Sequence, residues 1–86
     1  MADTLGLLEE TRQLARELGY EVREELLGDL PGGPCTLGGR RQILLNMQHS
    51  PAEQAATLIR ALAADPRVAS QPKSRLLADR LAAETT

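Results

Sequence analysis

Residues 28 to 46, GDLPGGPCTLGGRRQILLN, hold five glycines, two prolines, the only cysteine and an Arg-Arg pair. Glycine and proline at that density break any helix, so the chain must change character here. Gly28 to Pro34 reads as a loop. Gly38-Gly39 supplies the positive φ angles of a tight two-residue turn, which predicts a hairpin between Cys35–Leu37 and Arg41–Met47. In that hairpin Cys35 faces Gln42. Ile43, Leu45 and Met47 share one side, and Leu44 points to the other.

The flanking segments follow a helical period. Over residues 4 to 18, Leu7, Thr11, Leu14 and Leu18 mark one stripe, widened by Leu8 and Ala15, with the charges largely outside it. Asp3 or Thr4 can cap the start, and Gly19 can end the helix in a left-handed conformation. Ser50-Pro51-Ala52-Glu53 reads as a capping box with proline at the first helical position. It opens a helix over 51 to 64 that Asp65-Pro66 stops. After a loop through Pro72, a last helix is expected over about 73 to 84, with Leu77 and Leu81 on one face and Leu76 beside them.

YEVREELL, residues 20 to 27, follows a helix-ending glycine and begins Tyr-x-Val, and is read as a strand. Tyr20, Val22 and Leu26 then share a face opposite Glu21, Arg23 and Glu25. Glu24 falls on the apolar side, which requires that end to be open to water. The predicted fold is α+β: a small antiparallel sheet of about three strands (20–27, 35–37, 41–47) with helices 4–18, 51–64 and about 73–84. Residues 1–86 form one small domain, and the pattern leaves open whether 66–86 pack on it or reach to a partner.

With 86 residues, folding hides only about 60% of the surface the unfolded chain exposes. There is no Phe or Trp, and one Tyr, so sixteen leucines must fill the interior. Such cores suit helices and also suit packing against a second copy. The net charge of −2, with both signs mixed, argues against nucleic acid as a partner, and aromatics for stacking bases are lacking. One cysteine forms no internal disulfide. The acidic start is unlike a signal peptide, and no run approaches the ~20 apolar residues of a membrane span. A cytoplasmic protein that does not engage membranes is the expectation.

No constellation of reactive residues emerges. Gly33-Pro-Cys-Thr-Leu-Gly38 has the two glycines of a phosphate loop, but Gly39 and Arg40 stand where Lys and a hydroxyl belong. A strand follows where a helix N-terminus is required. Cys35 and His49 are a possible nucleophile and base by type, but the hairpin separates them, and Cys35 reads as a small hydrophobe. One His and one Cys, without C-x-x-C or H-x₃-H spacing, make a poor metal set. The neighbours Glu9-Glu10 and Glu24-Glu25 point apart and read as solvated faces. Arg40-Arg41 at the hairpin tip could grip an acidic partner. The expectation is therefore no catalytic, cofactor-binding or metal residues, no cofactor, and no enzyme.

With the element order laid out, residues 20 to 64, in the run GYEVR…LPGG…GRRQILLN…SPAEQAATLIRALA, resemble the N-terminal half of small bacterial zincin-type metallopeptidases. The resemblance implies an entry helix, a strand, a Gly-rich loop, a hairpin ending in an I-x-I/L-N strand, and then the helix that carries H-E-x-x-H. Gln54, Thr57 and Leu58 fall on that family's Gln-x-x-Thr-Leu lead-in. Arg60 then stands at the first zinc histidine, Ala61 at the catalytic glutamate and Ala64 at the second histidine. Arginine and alanine can neither ligate zinc nor activate water. The resemblance thus implies the scaffold without the enzyme.

The expected role is a non-catalytic protein-interaction or self-associating module, a homodimer or the binder of another protein, with no nucleic acid or membrane partner. A small sheet has two faces and two edges, and the helices of so short a chain are hard pressed to cover them all. The alternative is a small enzyme or ligand binder that uses the Gly-rich loop around Cys35.

Overall fold

The structure, a computed structural model, describes residues 3–84. Helix α1 (Thr4–Glu17) starts at Asp3, whose Oδ1 accepts from the Gly6 N–H at 2.9 Å. It buries Leu7, Leu8, Leu14 and Ala15, and Thr11 sits fully buried among them. The Thr11 hydroxyl shares its proton with the carbonyls of Leu7 and Leu8, so the polar atom is satisfied within the helix. Strand β1 (Glu21–Glu25) follows. Strands β2 (Gly33–Leu37) and β3 (Arg40–Asn46) form the expected hairpin, with Cys35 opposite Gln42 and φ of +60° and +79° at Gly38 and Gly39.

Helix α2 (Pro51–Ala63) carries the capping box in full: the Glu53 N–H donates to the Ser50 hydroxyl, and the Ser50 N–H donates to the Glu53 carboxylate. Helix α3 (Arg75–Glu84) inserts Leu77 and Leu81 into the same core as Ile43, Leu45, Leu58, Ile59 and Leu62. Its first turn is tied to α1, because the Ser74 N–H and hydroxyl both donate to the Glu10 carboxylate, at 2.7 and 2.6 Å. Between α2 and α3, where a loop is expected from the sequence, the chain makes a 3-10 turn, Pro66–Ser70. Asp65 caps it and Val68 anchors it.

The α+β architecture is as expected, with one correction to the sheet. Its order is β1-β3-β2, and β1 runs parallel to β3, so the sheet is mixed rather than antiparallel. The reason lies in the strands themselves. RRQILLN is the only apolar strand of the three, with Ile43 and Leu45 fully buried, and it takes the centre. EVREE is charged and GPCTL carries a proline, features that belong at edges, where a strand keeps one side unpaired.

The pleat sorts side chains by register. Val22, Glu24, Pro34, Thr36, Arg41, Ile43 and Leu45 face the helices, while Arg23, Glu25, Cys35, Leu37, Gln42 and Leu44 face away. Glu24, on the apolar side as expected, reaches solvent at the sheet edge and accepts from Arg12 of α1 at 3.1 Å. Met47, expected beside Ile43 and Leu45, lies past the end of β3 and is exposed.

Candidate functional site

Two surfaces concentrate features that the fold alone does not require. The first is the helix-free face of the sheet. Leu44 stands half-buried at its centre, with Cys35 and Leu37 on one flank. Leu27 and Leu30 of the 26–32 loop border the same hollow, and Leu26, Leu30 and Leu37 are exposed. Arg23 and Glu25, an ion pair at 2.9 Å, and Arg40 supply a polar margin.

The loop is held in place by Asn46, whose side-chain amide donates to the carbonyls of Gly28 and Leu30 at 2.9 and 3.0 Å. Gln54 of α2 in turn donates to the Asn46 carbonyl, which links the loop to the core. Gly32 lies at φ +82°, and a Cβ there would collide with the Leu44 carbonyl oxygen. Glycine is thus required at 32 by conformation and by space.

The second surface is a groove on the helix side, about 410 Å³, lined by Tyr20, Pro34, Arg41, Ala61, Ala64, Asp65, Pro66 and Arg67. Asp65 is its hub and is almost fully buried. Its Oδ2 accepts from the Tyr20 hydroxyl at 2.9 Å and from Arg67 Nη2 at 2.6 Å. Its Oδ1 accepts from the Arg67 backbone N–H at 2.9 Å and from Nε at 3.1 Å. The Arg67 guanidinium holds the Asp65 carboxyl far below the usual carboxylate range and is itself shifted upward by the same bonds. Burial pushes the Tyr20 phenol up, and the adjacent Asp65 carboxylate adds to the effect. Arg67 also lies over the Tyr20 ring, 5.9 Å from its centre.

The residues singled out from the sequence scatter over this frame. Cys35 is half-buried beside Gln42, and His49 follows the opposite end of β3. The stretch from Gln42 to Asn46 alone carries the chain about 13 Å, at ~3.3 Å per residue, so the strand does not bring the thiol and imidazole together. The Gly-rich stretch runs into β2 and the hairpin turn and opens no helix. Arg60 is exposed, Ala61 is buried, and Ala64 closes α2. Ala61 and Ala64 line the groove, while Gln54 and Thr57 are buried and hydrogen-bonded to backbone.

Among the described residues, no group of three or more His, Cys, Asp or Glu side chains could hold a metal ion. No described helix is long and apolar enough to cross a membrane. The Tyr20–Asp65–Arg67 cluster was not apparent from the sequence, because Tyr20 lies 45 residues from Asp65. The one readable signal was Asp65-Pro66, a cap followed by a first-turn proline.

Compared with family models, with curated proteins and with solved structures, the chain matches none.

Proposed function

We propose that the chain is a non-catalytic protein-interaction module that pairs with a second copy of itself through the helix-free face of its sheet. The observation that carries this reading is Leu44, central on that face and bordered by the exposed Leu37, Leu30 and Leu26. An apolar centre with a charged margin is the usual anatomy of an association surface. The edges are poor alternatives. Pro34 lacks an N–H to offer on β2, and four of the five residues of β1 are charged.

A two-fold axis parallel to the strands and over β3 lays Leu44 on Leu44 and β1 of one copy over β2 of the other. That arrangement sets Glu21 of each copy over Cys35 of the other and lays Gln42 and Arg40 of β3 over their own counterparts. The scaffold reading belongs to the same proposal: a zincin-like frame in which Arg60, Ala61 and Ala64 occupy the positions of the zinc and catalytic residues. The order of helix, strand, loop, hairpin and helix supports it.

Sedimentation equilibrium of the purified chain is the test. A dimer is expected at tens of micromolar. Leu37→Glu, at a side chain exposed in the single copy, should give a monomer with an unchanged circular dichroism spectrum. A chain that stays monomeric at millimolar concentration while melting cooperatively overturns the reading.

A further inference from the structure

Arg41 is the unused part of the groove around Asp65. Both oxygens of Asp65 are occupied by Arg67 and Tyr20, and Arg41 Nη1 stops 3.9 Å from Oδ2, beyond hydrogen-bonding distance. Its guanidinium is more than half exposed and forms no hydrogen bond among the described residues. It nevertheless stands at a defined place. Arg41 borders both the 410 Å³ groove and a second hollow of about 360 Å³ that continues past Thr36 and Gln42. Thr36 is its cross-strand partner on the same face, which sets a hydroxyl beside the guanidinium.

Charge and shape narrow what such a place can take. Arg41 and Arg67 against Asp65 leave one net positive charge, which matches a monoanion. An arginine fork without an acceptor fits the two coplanar oxygens of a carboxylate. The floor beyond it is short and apolar, made by Ala61, Ala64 and the two prolines. We infer that this groove binds a small organic carboxylate, with its carboxylate on Arg41 and Thr36 and its apolar body over Ala61 and Ala64. The inference does not depend on self-association, since the groove lies on the opposite side of the sheet from Leu44.

The test is an amide NMR titration of the full chain with isovalerate, with its neutral isostere isovaleramide, and with inorganic phosphate. Saturable shifts at Thr36, Arg41 and Ala64 are expected with isovalerate. The amide should bind about tenfold or more weakly, because the charge-assisted bonds are lost. Arg41→Gln should abolish the isovalerate response while leaving the melting temperature unchanged. Arg41→Lys, which keeps the charge but not the fork, should weaken it. Shifts that never saturate, that are equal with the amide, or that persist in Arg41→Gln overturn the inference. Phosphate saturating below isovalerate also overturns it, in favour of a phosphoryl ligand.

Discussion

Replacing Asp65 with asparagine isolates what the buried charge contributes. The side chain keeps its size and can still cap the 3-10 turn, so packing is unchanged. The Arg67 guanidinium is half exposed, so its share of the loss is discounted for screening. Two bonds remain to be counted: the Arg67 backbone N–H, from which the amide oxygen still accepts, and the Tyr20 hydroxyl, which then faces the amide NH2 and must accept from it instead of donating. A hydrogen bond to a charged acceptor contributes about 1.5–3 kcal/mol and a neutral one about 0.5–1.5. Asp65→Asn should therefore cost about 2 kcal/mol at pH 7, a fall in Tm of about 8–16 °C for a domain of this size.

The cost should also disappear in acid. The folded carboxyl titrates below the unfolded one, so as pH falls the unfolded chain takes up the proton first. The stabilisation is complete above the unfolded value of about 3.9 and drains away below it at about 1.36 kcal/mol per pH unit. By pH 2.5 about 1.9 kcal/mol is gone, and the two proteins should be nearly equal in stability. Urea unfolding of both at pH 7 and pH 2.5 measures the gap, and the other carboxylates cancel in the difference. A gap below about 0.5 kcal/mol at pH 7, or one that persists at pH 2.5, would refute this account of the cluster, since each bond was assigned about 1 kcal/mol.

Leu77→Ala should destabilise the whole domain by about 2–5 kcal/mol in urea unfolding, because Leu77 is fully buried in the shared core. Loss of α3 alone, with the rest still melting as before, would contradict that. Gly32→Ala should cost more than Gly19→Ala. Both have positive φ, a penalty of about 1–2 kcal/mol, but only at Gly32 does a Cβ meet the Leu44 carbonyl. Equal melting temperatures for the two variants would remove the spatial argument for glycine at 32. Asn46→Ala should free the 26–32 loop, seen as faster proteolysis within it at unchanged core protection. An unaltered cleavage rate would mean that Asn46 does not hold the loop.

What could be read from the sequence was local. The Ser50–Glu53 box, the Gly38-Gly39 turn and the 3.6-residue stripes each act within a few positions, and they placed the helices and the hairpin to within a few residues. Strand order was not local. It depends on β3 outcompeting β1 and β2 for the centre, and the proline in GPCTL and the charges in EVREE were readable reasons for that. The groove was less legible still. Tyr20 looked like a core aromatic and Asp65 like a helix stop, and only the packing of α2 against the sheet brings them within 2.9 Å.

The placement of α3 bears on why one sheet face stays open. A third amphipathic helix could have covered Leu44, but α3 packs against α1 and α2 on the far side, where Leu77 and Leu81 complete the core begun by Leu58 and Leu62. The open face is unsuited to a covering helix, because Arg23, Glu25 and Gln42 surround Leu44 and would have to be buried with it. Burying charges under a continuous apolar layer is costly unless each finds a partner. In the proposed pairing a second copy would meet the same face with charges of its own, at a surface whose rim remains wet. The polar margin that excludes a helix in the same chain is thus compatible with a partner across a two-fold axis, which is the basis for assigning the face to association rather than to unfinished packing.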